Sequence, residues 1–188
     1  MDFNTKSRGW VSCLKCLDLS HKQPRDDERK VLWRGRINAL KNRNYVAVSY
    51  VWYPPEDLYA SNEKYFVKER RKLIPSKVRD QVLDRVIKYT TYCRSHHESE
   101  DPRIEGFWID QDCINQENPV EKGLAIQSME YVYNRSEFPV GLLSVCIKSV
   151  DDLEALIGLL EGTERRPRTF RLLKYLTSDS WWQRAWTF

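Results

Sequence analysis

Apolar positions along this chain fall into three short strand-like runs separated by stretches of helical spacing. Residues 45–51 are β-branched and aromatic with partial alternation, residues 104–110 form a second such run, and residues 138–147 are apolar throughout, the pattern of a buried strand. After Pro75, Ser76 stands as an N-cap, and Val78, Val82, Leu83, Val86, Tyr89 and Cys93 follow at helical spacing. Asn118 and Pro119 read as an N-cap with proline at the first helical position, and Val120, Leu124, Gln127, Met129, Val132 and Tyr133 carry that helix to about residue 135. A further helix starts at 151–154, with Glu154 placed for a capping box and Gly162 as its stop, and a last one covers 167–177 with Phe170, Leu173 and Leu176 inward. Residues 61–72 are charged and predict a loop or short helix, and residues 1–30 read as a poorly organised arm preceding one domain over 31–188. Strands alternating with helices predict a three-layer α/β fold, a mostly parallel sheet flanked by helices, with the site at the strand C-termini.

Composition changes this picture little. The 188 residues are 41% hydrophobic and 31% charged, ordinary for a globular protein. No apolar run approaches the roughly 20 residues that span a bilayer, and the N-terminus has no apolar leader segment, so cytoplasmic residence and no membrane partner are expected. Five cysteines, mostly far apart, suit reduced thiols. The net charge of +4 is too small to imply nucleic acid. Its distribution is uneven: residues 1–44 carry eleven Lys/Arg against five acids, and residues 94–137 carry ten acids against four bases. That is either a pair of solvated faces or an acidic site region opposite a basic partner surface.

Candidate chemistry gathers where the runs end. In Gly106-Phe-Trp-Ile-Asp-Gln-Asp-Cys-Ile-Asn-Gln116 a strand stops at two alternate carboxylates, Asp110 and Asp112, followed by Cys113, Asn115 and Gln116. Such carboxylates can bind a cation, orient a ribose hydroxyl or act as acid and base; equally, they can cap the loop while the amides satisfy buried backbone. Ser49, Tyr50 and Trp52 end the first strand on the same expected edge, where an aromatic can stack a base or roof the core. In Ser180-Trp-Trp-Gln-Arg-Ala-Trp-Thr-Phe188, Arg184 lies among Trp181, Trp182 and Trp186 and can hold a phosphate or stack structurally. Cys113 as a nucleophile lacks a base, since His96 and His97 lie before the strand, at its opposite end. Cys13-Leu-Lys-Cys16 has CxxC spacing without a second pair, so no metal is expected, although a redox or metal role for Cys13, Cys16 and Cys113 stays open. Neither GxGxxG nor a P-loop motif occurs.

Taken together, Tyr45-Val-Ala-Val-Ser-Tyr-Val-Trp52, the block from Trp108 to Gln116 continued by Glu121, Gln127, Met129 and Tyr133, and Trp181-Trp-Gln-Arg-Ala-Trp-Thr187 resemble the three motifs of the HET (heterokaryon incompatibility) domain of fungal proteins. The resemblance covers about 45–188. Departures are Tyr53 where the family usually has glycine, Gln111-Asp112 in place of a small apolar pair, and Lys122 for arginine. The third motif normally continues to Gln-Glu, whereas the sequence stops at Phe188, so a shortened domain is implied. HET domains trigger cell death in non-self recognition and look similar to TIR domains, which implies a flavodoxin-like sheet. Some TIR domains cleave NAD. By that likeness Asp110, Asn115, Gln116 and Arg184 are the catalytic candidates, and Ser49, Tyr50, Trp52, Asp112 and Trp186 would hold the nucleotide. NAD would be substrate, with no resident cofactor. The alternative is a non-enzymatic module that self-associates and recruits protein partners of a cell-death pathway.

Overall fold

The structure, a computed structural model, describes residues 5–18, 29–52, 63–96, 104–147, 149–163 and 167–183. The chain divides into two compact units, one of Met1–Ser49 with Asp57–Val140 and one of Tyr50–Glu56 with Gly141–Phe188. The elements run α1 (Thr5–Val11), β1 (Leu14–Asp18), β2 (Lys30–Ile37), β3 (Tyr45–Tyr50), β4 (Tyr65–Glu69), β5 (Lys72–Pro75), α2 (Asp80–His96), β6 (Gly106–Ile109), α3 (Asp110–Cys113), α4 (Pro119–Arg135), β7 (Phe138–Leu142), α5 (Val150–Leu160) and α6 (Pro167–Thr177), ending in a 3-10 turn, Ser180–Gln183. The seven strands form one mixed sheet in the order β5-β4-β2-β1-β6-β3-β7, parallel between β2 and β4 and between β3 and β6, flanked by helices in a three-layer α/β arrangement.

The sheet is organised around β3 and β6, which are parallel and adjacent, with Tyr45 opposite Gly106 and Val48 opposite Ile109. Every residue of both strands is buried. Continuous burial means both faces are covered, which explains why these runs read as unbroken apolar segments rather than alternating ones. The C-terminal end of α4 is pinned to β3. Tyr45 donates its hydroxyl to the Val132 carbonyl at 2.6 Å, Tyr133 donates to the Val48 carbonyl at 3.2 Å, and Ser136 Oγ donates to the Tyr45 carbonyl while accepting from the Ala47 amide. Burial drives the Tyr45 phenol pKa far up, so the proton in this bond is permanent at neutral pH.

Residues 5–18 correct the reading of an unorganised N-terminal arm. They form α1 and β1, and β1 lies inside the sheet, antiparallel to β2 on one side and to β6 on the other. Leu14, Cys16 and Leu17 are buried, a core signal five residues long that the charged run after it obscures. Gly106 exists for this pairing. A side chain there would run into the Leu17 backbone carbonyl, so only glycine lets β1 close on β6.

Four smaller differences have physical causes. Residues 30–37, given no element above, form β2; Trp33 there lies under the Lys68 ammonium at 4.1 Å. The stretch 61–72, read as loop or short helix, contributes β4, then turns through Arg70 at φ 57° into β5, the alternation of Tyr65 and Val67 being hidden among lysines. The run 138–147 pairs only as far as Leu142, and none of β7 is fully buried because it lies at the sheet's edge. Ser76 is not the N-cap of α2, which begins at Asp80; its hydroxyl accepts from the Val78 amide in a turn instead. Asn118 does cap α4, accepting from Val120 and Glu121 amides.

In the second unit, α5 starts at Ser149, whose hydroxyl accepts from the Asp152 amide, and stops at Gly162 with φ 75°. Helix α6 spans the predicted residues, but Phe170 and Leu173 are exposed rather than inward, and Thr169 is the buried position. Among the described residues no helix is long and apolar enough to cross a membrane.

Candidate functional site

Strand β6 runs out at Ile109 and turns at once into α3, a single helical turn whose four residues are all buried. A buried turn must satisfy its own end groups. The Asp110 carbonyl accepts from the Ile114 amide at 3.1 Å and from the Gln116 side-chain amide at 2.9 Å. Arg34 of β2 donates Nη2 to the Asp112 carbonyl at 2.6 Å and Nη1 to Glu69 at 2.7 Å. The Ile109 amide donates to Cys113 Sγ at 3.4 Å.

The side chains of the motif face the same task. Asp112 accepts from Ser76 Oγ at 2.5 Å and from the Lys77 amide at 3.0 Å, tying α3 to the turn ahead of α2. Asn115 Oδ1 accepts from the Glu117 amide, and the Asn115 amide donates to Glu121 Oε1, which also receives Lys15 Nζ of β1 at 2.8 Å. From Asp112 to Glu121 the signature therefore holds β1, β2, the turn ahead of α2, α3 and the start of α4 together.

Electrostatics follow from these contacts. Burial raises the Asp112 carboxyl above its ordinary value, against the donations of Ser76 and Lys77 and the nearby Arg34 and Lys77 charges. Burial works the same way on Glu121, but the Lys15 ammonium and the Asn115 amide outweigh it and hold that carboxyl low. Cys113 is pushed up to about 12, chiefly by burial and against the Ile109 amide, so its thiol is protonated at neutral pH. His96 lies at the end of α2, stacked on Tyr92 with ring centroids 4.1 Å apart. Cys13 is exposed and Cys16 buried, and among the described residues no group of His, Cys, Asp and Glu is placed to hold a metal ion.

Within the first unit the structure brings together Ser49, Asp110, Asp112, Asn115 and Gln116. Because Val48 and Ile109 are register partners in parallel strands, Ser49, still within β3, and Asp110, the first residue of α3, follow at neighbouring positions. Both are nearly inaccessible, Ser49 at 4% and Asp110 at 2% exposure. Tyr50, buried, and Trp52, half-buried, belong to the second unit. Arg184, Trp186 and His97 lie outside the described residues. A cleft of about 210 Å³ opens among Cys16, Asp18, Trp33, Arg36 and Glu105, at the opposite end of β6 from Asp110.

Sequence reading missed Lys15, Arg34 and, in the second unit, Asp179. That aspartate accepts from Ser144 Oγ, the Val145 amide and the Trp181 amide, all at 2.8–2.9 Å. Burial alone would raise its carboxyl, and these donors bring it below its ordinary value instead. Trp181, so anchored, packs edge-on against Trp182 and lies where a side chain on Gly141 would have to sit. The available signal for Asp179 was its place just ahead of Ser180 and the paired tryptophans, where an acidic cap belongs.

No curated protein and no solved structure matches the chain. A family model does: that of the heterokaryon incompatibility protein (HET), over residues 45–188, from the first residue of β3 through all three motifs. With β3, the signature block from Trp108 to Gln116 and the paired tryptophans all inside that span, the chain belongs to the HET family, and its role is in fungal heterokaryon incompatibility.

Proposed function

We propose that this domain is a cytoplasmic effector of cell death in fungal non-self recognition, acting as a non-enzymatic module that assembles with further copies and with protein partners of a death pathway. One observation carries the reading: the signature's polar groups are spent internally. Asp112 and Glu121 each accept two donors from the chain, Asn115 Oδ1 accepts from the Glu117 backbone amide, Gln116 Nε2 donates to the Asp110 carbonyl, and Asp110 is buried. Groups so engaged stabilise a fold, whereas a catalytic acid must reach its substrate.

A second reading is favoured by the adjacency of Ser49 and Asp110 at one sheet edge. Here the domain cleaves NAD or a related nucleotide in the manner of some TIR domains, and Asp110 stabilises an oxocarbenium-like ribosyl centre. Asn115, Gln116 and Arg184 would assist it, while Ser49, Tyr50, Trp52, Asp112 and Trp186 hold the nucleotide. NAD would then be a substrate rather than a resident cofactor.

The experiment is induced expression in a fungal host, scored for viability, alongside nicotinamide release from NAD by the purified chain. The assembly reading expects killing by the wild type, undiminished killing by a folded Asp110→Asn variant, and no nicotinamide. Nicotinamide release that Asp110→Asn abolishes would install the second reading. A wild type without toxicity would sink the effector role itself.

A further inference from the structure

Helix α5 is built from Val150, Leu153, Ala155, Leu156, Ile157, Leu159 and Leu160 among its eleven residues, yet it buries none of them fully. Its apolar residues divide into two stripes. Ala155, Leu156 and Leu159 are half-buried. Val150, Leu153, Ile157 and Leu160 recur at intervals of three and four, the spacing of a helix-packing seam, and all four are exposed, Val150 at 68% and Leu160 at 80%. Helix α6 repeats the arrangement, with Leu172 and Leu176 half-buried and Phe170 and Leu173 exposed. Residues of both outer stripes lie in the second unit, so the patch is a property of that unit alone.

Charge says what covers it. Helix α5 carries Asp151, Asp152 and Glu154 and no base, with Glu161 just past its end; α6 carries Arg168, Arg171 and Lys174 and no acid. Within one copy the two helices already use this match, Arg168 donating to Asp152 at 2.8 Å. Glu154 and Glu161 border the outer stripe of α5, and Lys174 borders that of α6 with Arg171 beyond it. None of these four has an ion-pair partner among the described residues. A surface that presents an acidic apolar helix beside a basic apolar helix complements itself under a two-fold rotation.

We infer that this face binds a second copy of the chain, α5 of one packing its Val150–Leu160 stripe on α6 of the other and the reverse, with Glu154 and Glu161 facing Lys174 and Arg171 across the seam. The inference deepens the assembly reading and rests on it for its biological use, but the contact itself is measurable without any toxicity.

The test is sedimentation of the full chain over a concentration series. Wild type should dimerise, and Ile157→Asp with Leu160→Asp should leave only monomer. Since a variant of that kind can also unfold, charge reversal supplies the decisive arm. Glu154→Lys with Glu161→Lys in one chain, and Arg171→Glu with Lys174→Glu in another, should each weaken self-association by roughly tenfold or more, and mixing the two should restore it as a heterodimer. A wild type that stays monomeric, including one that instead captures a different partner on this face, overturns the proposal. So does association indifferent to the charge reversals. A dimer whose disruption leaves toxicity intact upholds the contact and removes only its link to cell death.

Discussion

Helices α2 and α5 are both amphipathic, and α5 is the more apolar of the two, yet their fates are opposite. In α2 the residues Val82, Leu83, Val86, Thr90 and Cys93 are fully buried. In α5 no residue is. Both patterns satisfy the helical period, so the period cannot be what separates them. Helix α2 lies on β6, a strand buried at every position, and its stripe is consumed there. Among the described residues α6 is the element that packs most extensively on α5, and a pair of short helices cannot cover both of its stripes. An apolar stripe therefore states that a helix needs a partner; whether the partner is in the same chain is decided by what the topology places beside it.

The comparison breaks most visibly at Trp108. This side chain is wholly buried in β6 and meets Tyr133 of α4 edge-on, with ring centroids 5.6 Å apart. Truncating a buried aromatic removes its transfer free energy and leaves a cavity, so Trp108→Ala should cost about 3–5 kcal/mol. Urea unfolding followed by far-UV circular dichroism checks it. A loss below about 1 kcal/mol would mean that the core around β6 is as loosely covered as α5, and the contrast between the units would disappear.

How much of this was legible in the sequence depends on the same contrast. Strands β3 and β6 and helix α4 were readable because long apolar runs and an Asn-Pro start report local structure directly. The adjacency of Ser49 and Asp110 followed from the rule that parallel strands share an edge. Strand β1 was not readable, since five residues carry too little periodicity and its place between β2 and β6 is a long-range fact. The clasp was half readable: Asp112 and Asn115 stood out, but the partners of Asp112, Ser76 and Lys77, lie about 35 residues away along the chain, and no local pattern connects them. The inward face assigned to α6 failed for the reason α5 teaches, namely that amphipathicity gives a face without giving its cover.

A subtler version of the comparison sets Asp112 in the first unit against Asp179 in the second. Both are nearly inaccessible, and burial pushes both carboxyls up. Around Asp112 burial prevails over its donors, and around Asp179 the Trp181, Val145 and Ser144 donors prevail over burial. The signs of the linkage are then opposite. Asp112 contributes stability that is full below the ordinary aspartate value and is lost as pH rises through its raised native one. Asp179 contributes stability that is present above the ordinary value and is lost as pH falls through its depressed native one. In urea titrations over a pH series, Asp179→Asn should flatten the acid limb and Asp112→Asn should relieve the decline above it. Identical pH profiles for the two variants would show that donors and burial balance alike at both sites.

The smallest expected effect is the most discriminating. Leu160→Ser removes an apolar side chain that is four-fifths exposed, at the end of α5, where little transfer free energy was gained by folding. The isolated chain should therefore change stability by no more than about 0.5 kcal/mol, measured under dilution that keeps it monomeric. Repeated at a concentration where copies associate, the same substitution should lower the unfolding midpoint, because a folded-state partner adds stability by mass action and the variant forfeits it. A large loss at high dilution would place Leu160 inside the unit's own core and remove the outer stripe. A loss that appears only as concentration rises would make α5 a helix whose burial is completed by another molecule, the counterpart of what β6 does for α2 within one chain.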